Sequence, residues 1–328
     1  MTGSIRVGVS LPQQHCTVEQ LRRAWRDADA AGLDSIWLWD HFFPLSGDPD
    51  GAHFEGWSLL AAMACDTSRA RIGTLVTCTA YRNPDLLADM ARTVDHLSGG
   101  RAILGIGAGG MGERDYREYG FAVGDERERV REFARVLPRI EARLQRLTPP
   151  PAGPLPMLIA GFGERVMLRL VAQHADMWNV AGPPEHAAHK NRVLDDWCGR
   201  VGRDPGEIER TVILFPDQLG RWREYVDAGF DHLIAGVMAP FDLAPVRRLL
   251  EAVRAGEPSP SRGTGGVPAA AGLSSGRPPT ATPPASRAAT PASPAAPAVS
   301  PVAATPTSVP SAPVPSPTDT PPSPSPSP

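Results

Sequence analysis

The sequence predicts one (β/α)8 barrel followed by a disordered C-terminal tail, and three observations carry that expectation. Short apolar runs alternate eight times with amphipathic stretches. The block they fill is about 255 residues long, the usual size of this fold. The runs are continuously apolar rather than alternating, as parallel strands covered on both sides are. A doubly wound open sheet is the alternative topology.

The elements follow in order. A strand over 6–11 (RVGVSL) precedes a helix over 17–32, where Leu21, Ala24, Trp25 and Ala28 recur at helical spacing. Thr17 is placed to cap its start and Gly32 its end. A strand over 34–39 leads to a helix over 54–67, and a strand over 70–78 to a helix over 83–100 with Pro84 in its first turn. The fourth pair is a strand at 101–107 and a long helix at 125–147, with a kink expected at Pro138. The remaining pairs are 155–161 with 164–174, 176–180 with 185–202, 210–215 with 217–229, and 231–237 with 242–256.

From about Gly256 the composition changes to Pro, Ala, Ser, Thr and Gly, with 21 of the chain's 37 prolines and no aromatic residue. Such a segment lacks the apolar surface to offset the entropy of ordering it. The expected organisation is a barrel domain over 1–255 and a disordered, low-complexity tail over 256–328. Net charge is −3 with acids and bases interspersed, and Lys190 is the only lysine. That pattern argues against a nucleic-acid surface. Cys16, Cys65, Cys78 and Cys198 lie far apart, as reduced thiols do in a cytoplasmic protein. No apolar run reaches a membrane-spanning length, and no cluster has metal-ligand spacing, so neither a membrane nor a metal is expected.

In a barrel of this kind chemistry sits at the C-terminal strand ends. The run SIWLWDHFFPL places Asp40 and His41 at that edge of the second strand. Two residues alone fit a polar turn at the rim equally well. The functional reading makes His41 a proton donor or acceptor, its tautomer fixed by a nearby carboxylate. LGIGAGGMGE (104–113) matches G-x-G-x-x-G in letters, but the strand and acid that a dinucleotide fold requires do not follow. It reads either as a flexible turn or as a loop whose bare N–H groups approach a phosphate. AGFGERV (160–166) is a second phosphate candidate, where a strand ends in glycines and a helix begins.

Taken together, GLDSIWLWDHF, the stretch from FEGWSLL to YREYG, and AGFGERV resemble the luciferase-like monooxygenase superfamily, and most of all its actinobacterial branch that uses the deazaflavin coenzyme F420. The likeness spans roughly residues 5–255. It implies a flavin-type oxidoreductase that binds coenzyme F420, with FMN as the alternative cofactor, at the C-terminal mouth. His41 would then face the cofactor ring, with Asp40 beside it as the second catalytic residue. A non-proline cis peptide at Leu75–Val76, with Thr77 nearby, would support the ring. The backbone at Gly107, Ala108 and Gly109 and at Gly161, Phe162, Gly163 and Glu164 would receive the phosphate end. The expected function is hydride transfer to or from a small organic substrate. The rivals are an FMN-dependent monooxygenase using oxygen and a non-catalytic flavin-binding barrel. A small-molecule substrate is the expected partner, and a homodimer is left open.

Two departures from the family pattern bear on function. Its sugar-phosphate dehydrogenases carry an acid just after the Gly-x-Gly loop, where this chain has Gly110. Many relatives carry a long insertion before the fifth strand, where this chain has only TPPPAGP (148–154). The mouth is then either more open or closed by the loop from Pro44 to His53.

Overall fold

The computed structural model describes residues 4–122 and 124–256. The elements are β1 (Arg6–Ser10), α1 (Val18–Ala30), β2 (Ser35–Leu38), α2 (Gly56–Asp66), β3 (Arg71–Thr74), β4 (Thr77–Cys78), α3 (Pro84–Ser98), β5 (Ala102–Gly107), α4 (Glu113–Tyr119), α5 (Glu126–Leu144), β6 (Met157–Ala160), α6 (Met167–His174), β7 (Met177–Ala181), α7 (Pro184–Val201), β8 (Glu209–Leu214), α8 (Trp222–Asp227), β9 (His232–Gly236) and α9 (Ala244–Ala255). The strands run β3-β2-β1-β9-β8-β7-β6-β5-β4, all parallel, and β3 also pairs with β5. The sheet therefore closes on itself, with β3 and β4 as two halves of one barrel strand. This is the expected (β/α)8 barrel and excludes the open sheet.

Three details add to the sequence reading. The third barrel strand is interrupted at a cis Leu75–Val76 peptide, the bond that the resemblance implied. An additional short helix, α4, follows β5. Pro138 lies inside α5 without ending it. The tail expected from residue 256 onward lies, past Gly256, outside the described residues.

Side chains alternate between the two faces of each strand. Outward residues such as Val7, Val9, Ile36, Leu38 and Ile72 join the helices in one large core. Inward residues Trp37, Ile103, Leu158, Met177 and Ile234 fill the barrel, with Leu75, Val76 and Ala160 half-buried above them. Trp37 fits because β3 carries Gly73 beside it; a Cβ there would lie 2.8 Å from the indole. Thr17 caps α1 in a capping box with Gln20, and Asn83 caps α3 ahead of Pro84.

The N-terminal end of the barrel is closed by a chain of hydrogen bonds. Trp37 Nε1 donates to Ser35 Oγ at 2.7 Å, and Ser35 Oγ meets His232 Nε2 at 2.7 Å. His232 Nδ1 meets Glu209 Oε1 at 2.6 Å, while Arg6 and Arg71 reach Glu209 Oε2 at 2.9 and 3.3 Å. The ring proton of neutral His232 belongs on Nδ1, because the ionised Glu209 carboxylate only accepts, and Nε2 then accepts from the Ser35 hydroxyl. Burial pushes the Glu209 carboxyl up, but His232, Arg6 and Arg71 together outweigh it and hold the group below its ordinary range.

The sign follows directly. A carboxyl depressed in the fold contributes stability that is present above its unfolded pKa, about 4.5, and is lost as pH falls through the lower folded value. Urea unfolding midpoints should therefore drop on acidification below that point. Glu209→Gln should be less stable at neutral pH and lose less on acidification. An acid dependence as steep as that of the unmodified chain would remove Glu209 from this role.

Candidate active site

The C-terminal mouth is built around two carboxylates with different tasks. Asp40 follows β2 and is buried. Its oxygens accept from both terminal nitrogens of Arg82, at 2.5 and 2.8 Å, and from the Cys78 backbone N–H at 3.2 Å. Arg82 also reaches Glu55 Oε1 at 3.0 Å, and Glu55 caps the start of α2. Burial works against the Arg82 charge, but Asp40 and Glu55 outweigh it and its pKa is raised. Burial also raises the proton affinity of Asp40, against the pull of Arg82. Asp40 thus fastens the end of β2 to β4 and to α2.

The carboxylate that holds His41 is Asp115, on α4. His41 Nδ1 lies 2.6 Å from Asp115 Oδ2. Asp115 also accepts from the backbone N–H groups of Phe42 and Phe43, at 3.0 and 3.2 Å, and from the Tyr81 hydroxyl at 3.1 Å. Burial alone would raise the Asp115 carboxyl, but His41, the Phe42 N–H and Tyr81 hold it below its ordinary range. An ionised carboxylate only accepts, so the His41 proton belongs on Nδ1. Nε2 carries no hydrogen bond among the described residues and stays solvent-accessible. Gly112 makes the approach possible: with φ of 68°, a Cβ there would lie 2.4 Å from Asp115 Oδ2 and 2.8 Å from His41 Nδ1.

Around this pair Phe42, Tyr81, Tyr116 and Phe121 form an aromatic cluster. Burial pushes the Tyr81 phenol up, so it stays a neutral donor. Trp39 meets His41 edge-on and stacks on His53. Trp39 Nε1 donates to His53 Nε2 at 3.1 Å, and burial, with the His41 charge second, lowers the His53 pKa to about 4. The loop from Pro44 to His53 is fastened to α4: Arg114 donates to the Pro49 carbonyl at 2.6 Å, pairs with Asp50 at 2.8 Å and stacks on Phe43.

The floor of the mouth is the half-buried Leu75–Val76 bulge. Thr77 is fully buried beneath it; its hydroxyl accepts from Trp57 Nε1 at 3.1 Å and pairs with Thr74 Oγ1 at 2.6 Å. Thr77 therefore props the bulge and does not line the mouth. Gly107 is buried against the same feature, since a Cβ there would lie 2.9 Å from Val76 Cγ2. Ala108 and Gly109 lead outward, and a Cβ on Gly109, whose φ is 75°, would lie 2.1 Å from the Tyr116 hydroxyl. Side chains at Gly107 or Gly109 would thus disturb the floor or Tyr116 directly, beyond any obstruction of a ligand. Gly161, Phe162, Gly163 and Glu164 form the loop after β6, with Phe162 to Glu164 exposed and α6 beginning only at Met167. Glu164 is paired with His189 and Lys190 at 2.8 and 2.6 Å. Among the described residues no group of three potential metal ligands forms, all four cysteines are free, and no helix is long and apolar enough to cross a membrane.

Parallel barrels carry their chemistry at the C-terminal mouth, and here that mouth holds the His41–Asp115 pair near the cis Leu75–Val76 peptide. Residues 4–274 match the family model described as luciferase-like monooxygenase. The chain belongs to this family and is an oxidoreductase by class. It is 32% identical over 273 residues to a phthiodiolone/phenolphthiodiolone dimycocerosates ketoreductase of Mycobacterium sp. (strain JLS), covering 70% of each chain. Over 85 residues, 25% of each chain, it is 42% identical to an F420-dependent glucose-6-phosphate dehydrogenase of Amycolatopsis mediterranei (strain U-32). Among solved structures, an F420-dependent secondary alcohol dehydrogenase in complex with an F420-acetone adduct superposes with a TM-score of 0.68 at 14% identity, over 77% of this chain and all 100% of the other.

Asp40 should behave as a structural ion pair. Asp40→Asn leaves Arg82 buried with reduced compensation, and breaking such a pair costs about 3–5 kcal/mol. Urea denaturation should show a loss of that order. A loss below about 1 kcal/mol, the range of an exposed pair, would show that the Asp40–Arg82 contact is not held in solution.

Proposed function

We propose that the protein transfers hydride between coenzyme F420 and a small organic substrate, with His41 handling the accompanying proton. The observation that carries this is the His41–Asp115 pair. It fixes one ring nitrogen as a donor into protein and leaves the other without a hydrogen bond among the described residues. The F420-dependent relative and solved neighbour support the cofactor, and the ketoreductase relative supports a carbonyl–alcohol interconversion.

The residues present fit the group. Leu75 and Val76 offer a half-buried apolar floor for a flat ring, and Thr77 keeps that floor in place. Gly107, Ala108 and Gly109 would bring a backbone with little side-chain bulk toward the phosphate, and the backbone of Gly161, Phe162, Gly163 and Glu164 would meet it from the loop after β6. The Glu164 carboxylate need not repel that phosphate, because the Lys190 ammonium already neutralises it at 2.6 Å. When bound, the deazaflavin supplies a two-electron hydride carrier that reacts poorly with oxygen. His41 in its neutral form can take a proton at Nε2 and, once protonated, return it. Asp115 stabilises the charged form and keeps Nδ1 protonated throughout, as the acid of a histidine–carboxylate pair does. Asp40 keeps β2 and β4 in place beneath this pair and stays outside the proton path.

His41→Ala should retain the fold, because Asp115 keeps its Phe42, Phe43 and Tyr81 donors and the lost ring lies outside the main core. Turnover with F420 should fall by about 10²–10⁴-fold, the range for a general acid or base, with a much smaller change in cofactor affinity. Near-normal turnover would return His41 to the role of a polar rim residue. Purification from a host that makes both F420 and FMN separates the cofactors: a bound deazaflavin spectrum agrees with the proposal, and a bound flavin spectrum favours the oxygen-using alternative.

A further inference from the structure

Four of the exposed large apolar side chains share one end of the barrel. Among the described residues ten large hydrophobic side chains are exposed, including Met111, Phe162, Phe215 and Met238. These four come from the loops after β5, β6, β8 and β9, which in a closed parallel barrel all open on one face. They therefore border the same mouth that holds His41.

Met111 and Phe162 lie on the β5–β6 side, beside the loops assigned above to the cofactor phosphate. Phe215 and Met238 have no part in that assignment. Their strands, β8 and β9, lie across the barrel from the Leu75–Val76 floor in the strand order. Phe215 is 49% exposed, yet its ring lies along bare backbone: a Cβ on Gly236 would be 3.8 Å from its Cδ1. One part of the ring is thus supported while much of it stays open. Met238 is 43% exposed and lies in the run Val237–Phe241, VMAPF, which has no charged or hydrogen-bonding side chain. An anionic substrate would find no cation in that run, whereas an apolar one gains by covering surface that water now wets.

We propose that the β8–β9 side of the mouth, through Phe215 and Met238, binds the uncharged apolar body of the substrate while its reacting carbon faces His41. This rests on the oxidoreductase reading for the reacting end only. Specificity then comes from apolar area. Sugar phosphates and other anions are then poor substrates.

The test uses the full chain loaded with F420 and straight-chain 2-alkanones from butanone to decan-2-one as probes. Binding is read by calorimetry and, separately, turnover with reduced F420. Affinity should rise with chain length, approaching about fourfold per fully buried methylene. Phe215→Ser and Met238→Ser, both at exposed positions, should keep the melting temperature and flatten that dependence. Length-dependent binding that both variants flatten supports the proposal even if no ketone is reduced, in which case the redox reading of the site fails for ketones. Turnover with an affinity independent of chain length, or an unchanged dependence in both variants, overturns the proposal and leaves the redox reading intact.

Discussion

Asp115 gathers four donors onto one buried carboxylate: the His41 ring, two consecutive backbone N–H groups and the Tyr81 hydroxyl. The arrangement has consequences at three levels. It fastens the turn after β2 to the helix after β5. It fixes which nitrogen of His41 carries the proton. It also keeps an ionised acid within a largely aromatic cluster, a state that burial opposes and only these hydrogen bonds permit. The geometry needs α4 to begin close to the imidazole, and Gly112 is the residue that lets it do so.

Beneath this pair the floor is held by a second set of close approaches. The Leu75–Val76 bulge is propped by Thr74, Thr77 and Trp57, and β5 receives it at glycines. A Cβ on Gly105 would lie 2.0 Å from the Thr74 carbonyl and one on Gly107 2.9 Å from Val76. The Gly-x-Gly of β5 thus serves the floor before it serves any phosphate. Asp40 and Arg82 close the same region from the side. Two adjacent residues, Asp40 and His41, therefore sit in different networks: one clamps strands together, and the other is held by Asp115.

Much of the fold was legible because a closed parallel barrel writes a simple pattern. Its strands are buried on both faces, and helices follow them, some with a clear start signal, as Thr17 and Asn83 show. The position of His41 at a strand's C-terminal end was legible for the same reason. Its partner was not. Asp115 lies 74 residues away, on a helix of seven residues too short to show periodicity. The available signal was Gly112 followed by an acid-rich turn, ERD, close after β5. Asp40 attracted the partner's role by adjacency, although neighbouring side chains at a strand end point to opposite faces. The cis bulge came from family resemblance, and local composition showed only a buried strand.

The account depends on the His41 proton residing on Nδ1, with Nε2 unprotonated in the neutral ring. Imidazole ¹⁵N NMR of the full chain at neutral pH tests this directly, with His41 assigned by comparison with His41→Ala. The account predicts a protonated Nδ1 and, in the neutral ring, an unprotonated Nε2, with the Nδ1 signal displaced in Asp115→Asn. A neutral His41 that carries its proton on Nε2 would contradict it.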